Sequence, residues 1–303
     1  VVADNGSDDD SAAFLRKHYP QVELLLLDKN YGYAEGYNRA LEQVAADCYV
    51  LLNSDVEVEE GWLGPLAKLM ASDERIAALA PKILSYDRPG YFEYAGASGG
   101  FLDAFGYPFC RGRILDTIEQ DDGQYDTSRD VFWASGACMM VRADVFRKLG
   151  GFDGDFFAHM EEIDFCWRAQ LAGYRIMVEP RSRVFHLGGG TLPNNSPRKL
   201  YLNYRNNLSM LYKNLSKLTL WPLLFTRMVL DGMSAFVFLM QGRRDFFKVV
   251  FRSHMDFYKI LGMLRAKRRA IQRDRTGSAA GNIYRGSIIL RHALGRRTFG
   301  RMM

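Results

Sequence analysis

The chain opens on "VVADNGS", where two valines read as the end of a strand that runs into turn residues. "SAAFLRKHY" carries helix signal, and "VELLLLD" reads as a second strand. "KNYGYAEGYNRALEQVAA" is a Gly-containing loop that passes into an amphipathic helix, and "CYVLLN" is a third strand. Strand, loop and helix alternate, which predicts a parallel sheet with crossover helices. Further on, "EGWLGPLAKLMAS" reads as a helix and "IAALAPKIL" as a strand.

From Ser85 to Asp130 the periodicity weakens into Gly, aromatic and Asp-rich sequence, the pattern of a long loop or a small irregular sheet. Order returns in "VFWASGACMMVRADVFRKLGGFD", a strand followed by a helix that ends at Gly150–Gly151. Beyond Thr191 the character changes. "SPRKLYLNYRNNLSMLYKNL" reads as a helix, and from Leu218 to about Arg273 come helices with strong apolar faces. No run of 18 or more uninterrupted apolar residues occurs there, because Arg227, Asp231 and Arg243–Arg244 break the best stretch. An interfacial amphipathic segment is therefore expected rather than a spanning helix, with a helical cap packed on the main body as the alternative. The last 30 residues, rich in Gly, Ser and Arg, read as partly loose.

Composition adds one asymmetry. The net charge is +5 over 303 residues, yet residues 241–303 hold 16 Lys/Arg against 3 Asp/Glu, which leaves the preceding residues net acidic. A basic tail on an acidic body points to an anionic partner, phospholipid or nucleic acid. Its charges interleave with Phe, Leu and Ile at helical spacing and match no nucleic-acid reader motif, so nucleic acid is not expected. The four cysteines, Cys48, Cys110, Cys138 and Cys166, are widely spaced with no CxxC pair. They read as buried free thiols rather than a zinc site or a disulfide scaffold, which fits a cytoplasmic protein.

The chemistry gathers where strands end, because ligands of open parallel sheets bind at the carboxyl edge. Asp4 and Asn5 follow the first strand; Asn53 and Asp55 follow the third. A turn or cap role is the plain alternative for Asp55. In "FFAHMEEIDFCWRAQLAGYRI", Glu161, Asp164, Phe165 and Arg168 share one face of a helix whose first turn holds Glu161 and Glu162. Carboxylates there also suit the helix dipole, so spacing alone does not separate a base from a dipole partner. "VEPRSRVFHLGGGT" ends a strand in His186 and three glycines, and a neutral imidazole among oxygen ligands suits Mn²⁺ or Mg²⁺ beside a diphosphate.

Taken in order, "VVADNGSDDDS", "NYGYAEGYNRAL", "YVLLNSDVEV", "WASGACMMVRADVFRKLGGFD", "FFAHMEEIDFCWRAQLAGYRI" and "VFHLGGGT" resemble the family 2 glycosyltransferases, closest to the bacterial rhamnosyltransferase-like members. The resemblance covers roughly residues 1–215. It implies an α/β GT-A fold with a mostly parallel sheet over residues 1–190, an acceptor-side loop and helix over 191–217, and a basic amphipathic helical region over 218–303. It implies transfer of a sugar from a nucleotide diphosphate to an acceptor hydroxyl with inversion, the acceptor being a cell-surface polysaccharide or lipid-linked glycan. dTDP-rhamnose is the first donor it suggests, with UDP- and GDP-sugars behind. Asp55 would hold Mg²⁺ or Mn²⁺ with help from His186, Asn53 standing where a strict DxD has its first Asp. Asp4, Asn5, Gly6, Asn30, Gly36 and Asn53 would meet the nucleotide. Glu162 would be the base, with Glu161 as the other candidate, and Trp133, Ser135, Gly136, Asp164 and Arg205 would lie on the sugar and acceptor side.

A further strand and helix are expected ahead of "VVADNGS" in this family. A nucleotidyltransferase-like enzyme or an inactive nucleotide-sugar binder are the competing readings. The resemblance also places the chain at the inner face of the plasma membrane, through peripheral contact by the C-terminal helices.

Overall fold

A computed structural model describes residues 1–188 and 196–301. Gly189, Gly190 and Thr191 of the glycine loop, and the start of the expected acceptor-side loop, lie outside the described residues. The N-terminal unit is β1 (Val2–Asp4), α1 (Ser11–His18), β2 (Leu24–Leu26) and α2 (Gly32–Leu41). β1 and β2 pair in parallel, Val2 opposite Leu24, as the strand-helix alternation predicts.

The main sheet is mixed, which corrects the mostly parallel expectation. It holds β3 (Cys48–Leu52), β4 (Val56–Val58), β5 (Ile76–Ser85), β10 (Arg129–Asp130), β11 (Cys138–Arg142) and β12 (Arg175–His186), with α3 (Leu63–Ser72) between β4 and β5. Its order is β10-β12-β5-β11-β3, and β4 pairs with the distal half of β12. Only β12 and β5 run parallel; β11 is antiparallel to both β5 and β3. The reason is in the connection. A parallel neighbour needs a crossover, whereas the chain between β5 and β11 forms only turns and short strands, so it re-enters where β5 ended and runs back. β1 and β2 form their own two-stranded sheet, so Asp4 and Asp55 do not share one sheet edge.

The weakly periodic stretch is a small sheet of β6 (Gly100–Asp103), β7 (Pro108–Cys110), β8 (Arg113–Ile114) and β9 (Thr117–Ile118). It packs into the core through Phe92, Phe101, Phe109 and Ile114, all essentially inaccessible to water. The remaining helices are α4 (Ala143–Lys148), α5 (Glu161–Leu171), α6 (Pro197–Asn214), α7 (Lys217–Met240), α8 (Arg244–Lys259) and α9 (Leu261–Arg273).

The C-terminal stretch is not loose. β13 (Ile283–Tyr284) joins β6 in parallel, and α10 (Ile288–Ala293) begins with the Ile288 N–H donating to Asp103 at 3.0 Å. Phe299 stacks among Phe101, Phe109 and Tyr125. Ile288 and Phe299, with Ala279, Ile283 and Tyr284 beside them, return this Gly/Arg-rich stretch to the core. Cys110, Cys138 and Cys166 are buried free thiols and Cys48 is half-buried; burial pushes the Cys138 and Cys166 thiols up to about 12.

Candidate active site

The loop after β1 and the loop before α2 are tied to each other. Asn5 Oδ1 accepts the Tyr31 N–H at 3.0 Å, and its Nδ2 donates to the Gly32 carbonyl at 2.9 Å. Asn30 Oδ1 accepts the Gly32 N–H at 2.8 Å. Gly6 sits at φ +70, where a Cβ would lie 2.4 Å from the Lys29 carbonyl carbon, so only glycine fits the approach. A Cβ on Gly36 would come within 2.8 Å of Asn5 Nδ2. Asp4 accepts the Ser7 N–H at 3.1 Å, and the Asn53 N–H donates to Ala137 at 3.0 Å, extending the β3–β11 ladder.

β4 decides the next contact. Its pairing with β12 sets Val56 opposite His186, so the residue before β4 meets the end of β12. Asp55 Oδ1 lies 3.3 Å from His186 Nε2, and the Leu187 N–H donates to the Asp55 carbonyl at 3.0 Å. On its other side His186 Nδ1 is 3.4 Å from Glu93 Oε1, without a well-aligned hydrogen bond. Burial opposes protonation of this imidazole, but the Glu93 and Asp55 carboxylates outweigh it and the pKa stands above its ordinary value.

A carboxylate oxygen and an imidazole nitrogen side by side, with the other ring nitrogen buried and poorly paired, fit a Mg²⁺ or Mn²⁺ ion. Among the described residues no group of three or more His, Cys, Asp or Glu could hold a metal. An ion held by these two groups would take its remaining ligands from elsewhere.

The paired carboxylates stand at the head of α5 behind an unusual turn. Phe157, His159 and Met160 all adopt left-handed conformations, at φ 64, 70 and 75. Backbone of this kind costs on the order of 1 kcal/mol or more per residue and needs outside support. Asn206 of α6 supplies it, its Nδ2 lying within 2.9 Å of the Phe156, Ala158 and His159 carbonyls. The Phe157 carbonyl in turn accepts the Tyr33 and Ala34 N–H groups at the start of α2.

Glu161 is buried, and burial followed by the neighbouring Glu162 charge raises its pKa well above the carboxylate range. Glu162 is half-buried, and burial lifts it to about 7. One carboxylate oxygen of each has no hydrogen-bond partner. Burial raises the pKa of the Cys110 thiol, with smaller contributions from the Glu93 and Glu162 charges.

Other sequence candidates sit deeper. Asp164 is fully buried, paired with Arg168 at 2.8 Å and Lys213 at 3.0 Å, and accepts from Asn214 at 2.7 Å. Arg205 donates to the Asp155 carbonyl at 2.7 Å and to Asn206. Trp133 is buried, with its indole N–H donating to the Phe101 carbonyl at 3.0 Å. Ser135 donates to the Ala95 carbonyl, and Tyr33 Oη donates to the Gly136 carbonyl at 2.5 Å. These contacts hold the walls together. An open cleft of about 520 Å³ beside Arg75, Arg142 and Tyr174 contains none of the site residues, so volume alone does not mark the site.

Sequence reasoning missed Glu93, Tyr33, Asn206 and the pair Lys213–Asp153. Lys213 of α6 and Lys267 of α9 both reach Asp153; burial alone would raise that carboxyl, but the two ammonium groups hold it below the usual range. Nothing periodic flags Glu93, which lies in the irregular stretch. Asn206 and Lys213 were readable only as polar positions on the α6 helix.

Residues 1–150 match the profile of glycosyl transferase family 2. The chain is 29% identical over 200 residues to the N-acetylglucosaminyl-diphospho-decaprenol L-rhamnosyltransferase of Mycobacterium tuberculosis, an alignment covering 61% of this chain and 65% of that protein. It is also 29% identical over 163 residues to the Escherichia coli rhamnosyltransferase WbbL, covering 52% and 61% of the two chains. The chain thus spans just under two thirds of the length of these relatives.

In fold it is similar to GalNAc-T7, solved with UDP, GalNAc and Mn²⁺ (TM-score 0.52, 14% identity, 70% of this chain and 41% of that one). Staphylococcus aureus TarS is similar as well (TM-score 0.50, 15% identity, 90% and 48%). With a GT-A fold, a family 2 domain and rhamnosyltransferases among its relatives, the chain belongs to the family 2 glycosyltransferases, on the side of their rhamnosyltransferase-like members.

Proposed function

We propose that the protein is an inverting glycosyltransferase that moves a sugar from a nucleotide diphosphate, dTDP-rhamnose first among the candidates, to a hydroxyl of a polysaccharide or lipid-linked glycan. The observation that carries this reading is the meeting of Asp55 and His186, through the β4–β12 pairing, in a fold whose α5 opens on two carboxylates of unequal proton affinity. Asn5, Gly6, Asn30 and Gly36 form the braced loops that would receive the nucleotide, with Asp4 and Asn53 at their margins.

Asp55 and His186 would hold Mg²⁺ or Mn²⁺, which supplies charge neutralisation for the departing diphosphate. Glu161 is the deeper acid, and burial and the Glu162 charge make it hold its proton more tightly than an ordinary carboxyl. Glu162 is ionised in substantial part at neutral pH, and it would take the acceptor O–H proton as the oxygen attacks the anomeric carbon from the face opposite the leaving group. Arg205, Asp164, Trp133, Ser135 and Gly136 would lie on the sugar and acceptor side, where their mutual contacts brace the walls of the site. The C-terminal helices would give the protein peripheral contact with the inner face of the plasma membrane, where a lipid-linked acceptor is presented.

Calorimetric titration of dTDP, UDP and GDP, with and without Mn²⁺, tests the reading in wild type and Asp55→Ala. Metal-dependent binding of one nucleotide that disappears in the variant is the expected outcome. A folded protein that binds none of the three refutes it.

A further inference from the structure

We propose that α7 and α8 together form a docking face for an anionic bilayer, with α7 lying in the membrane surface rather than crossing it. The inference rests on the peripheral-contact part of the reading above and is independent of the transfer chemistry.

By length and composition α7 is apolar enough to cross a membrane. Between Leu218 and Met240 its only charged residues are Arg227 and Asp231. Both are buried on the protein side: they pair at 2.8 Å, the guanidinium lies 3.8 Å from the Tyr107 ring centroid, and His254 of α8 approaches Asp231 at 3.2 Å. The charges that interrupt the apolar run in sequence therefore point inward.

What remains outside carries no charge for six turns of helix. Leu218 is 89% exposed, Phe225 70% and Met240 73%, with Trp221, Val229 and Phe236 exposed between them. Folded monomers seldom leave so continuous an apolar stripe in water.

α8 extends this face and gives it a border. Phe247, Phe251, Met255 and Tyr258 are exposed on one side of the helix. Arg244, Lys248, Arg252 and Lys259 lie along the adjoining side, also exposed, with Asp256 between the last two and paired with both at 3.6 and 2.8 Å, so the border keeps a net positive charge. A groove of about 270 Å³ between the two helices, lined by Met228, Gly232, Phe247 and Phe251 among others, joins the two apolar surfaces. An apolar strip edged by Lys and Arg is the arrangement that seats a helix at the boundary of acyl chains and anionic headgroups.

Two observations choose between occupants and orientations. A second copy of the chain docked here would set basic border against basic border, whereas phosphate headgroups complement it. A crossing α7 would have to break its ties to the body, since Arg227 reaches the Gly106 carbonyl and Tyr204 hydrogen-bonds Ser234 at 2.5 Å, and would carry an ion pair into lipid.

Flotation of the full chain with phosphatidylglycerol-containing and pure phosphatidylcholine vesicles tests this. The wild type is expected to float with the anionic vesicles, more weakly at high salt. Phe225→Glu combined with Phe251→Glu should weaken partitioning by about tenfold or more. Arg244→Gln, Lys248→Gln and Arg252→Gln together should remove the preference for anionic lipid. Nucleotide binding measured on the same variants should match wild type, which shows that they fold and separates this question from the transferase reading. Bromolipid quenching should appear in wild type and be lost in Trp221→Phe. Failure of the wild type to float, unchanged flotation of the Glu variant, dissociation of a wild-type dimer by that variant, or retention in the membrane through alkaline carbonate would each overturn the proposal.

Discussion

Replacing Glu162 by Gln separates the proposed chemistry from the architecture, because the two respond in opposite directions. In the folded protein burial holds this carboxyl at about 7, against an ordinary value of 4.5. Ionising it in place costs at most about 3 kcal/mol, and its partial exposure reduces that to roughly 1–2 kcal/mol. The unfolded chain ionises near 4.5 and the folded one near 7, so between those values the folded state binds more protons. Wild-type stability therefore falls as pH rises through that window, while the Gln variant lacks this slope. The variant should gain roughly 1–2 kcal/mol over wild type at pH 8 and little at pH 4, read by urea unfolding at each pH.

Activity should move the other way. A positioned base contributes about 10²–10⁴ in rate, or roughly 3–5 kcal/mol of barrier. Release of nucleoside diphosphate from the donor in the presence of acceptor should fall by that factor. In wild type, kcat/KM should climb with pH to a plateau above about 7. Glu161→Gln is the control: burial and the Glu162 charge make Glu161 hold its proton more tightly, so its amide replacement should cost far less rate than that of Glu162. Loss of activity in Glu161→Gln but not in Glu162→Gln, or a flat pH profile, would refute the assignment.

Three further outcomes follow from the contacts. Lys213→Met leaves Asp153 and Asp164 short of a buried cation and should cost about 3 kcal/mol in chemical denaturation. Asn206→Ala strips support from the left-handed turn ahead of Glu161; about 2 kcal/mol of stability should be lost, and kcat should fall while nucleotide affinity holds. Phe299→Ala should cost about 3 kcal/mol if the C-terminal stretch is part of the core, and a change near zero would return it to the status of a loose tail.

Much of this was written in local pattern. The strands at Cys48–Leu52 and Arg175–His186, the helix opening on Glu161–Glu162 and the buried thiols follow from periodicity, because alternation and helical spacing record which side of an element meets the core. The ordered motifs carried the family. Local pattern failed wherever the outcome depended on what packed opposite. β11 runs antiparallel because no crossover helix precedes it, and the C-terminal stretch is held by the β13–β6 pairing and a few scattered apolar residues, Ile288 and Phe299 among them, too few to form a periodic signal.

The same divide runs through the site and the membrane face. Sequence named Asp55 and His186, 131 positions apart, but only the β4–β12 register makes them neighbours. The family resemblance put Glu162 ahead of Glu161, but their depths, one buried and one half-open, which give them different proton affinities, come from the fold. In sequence Arg227 and Asp231 read as interruptions of an apolar helix, and the fold turns both inward against Tyr107, leaving the outer face unbroken. Sequence determined which chemical groups the chain carries and the local conformation around them, since those depend on neighbours a few residues away. Which groups face one another, and how much water each keeps, depends on contacts between distant segments, and only the tertiary structure decided it.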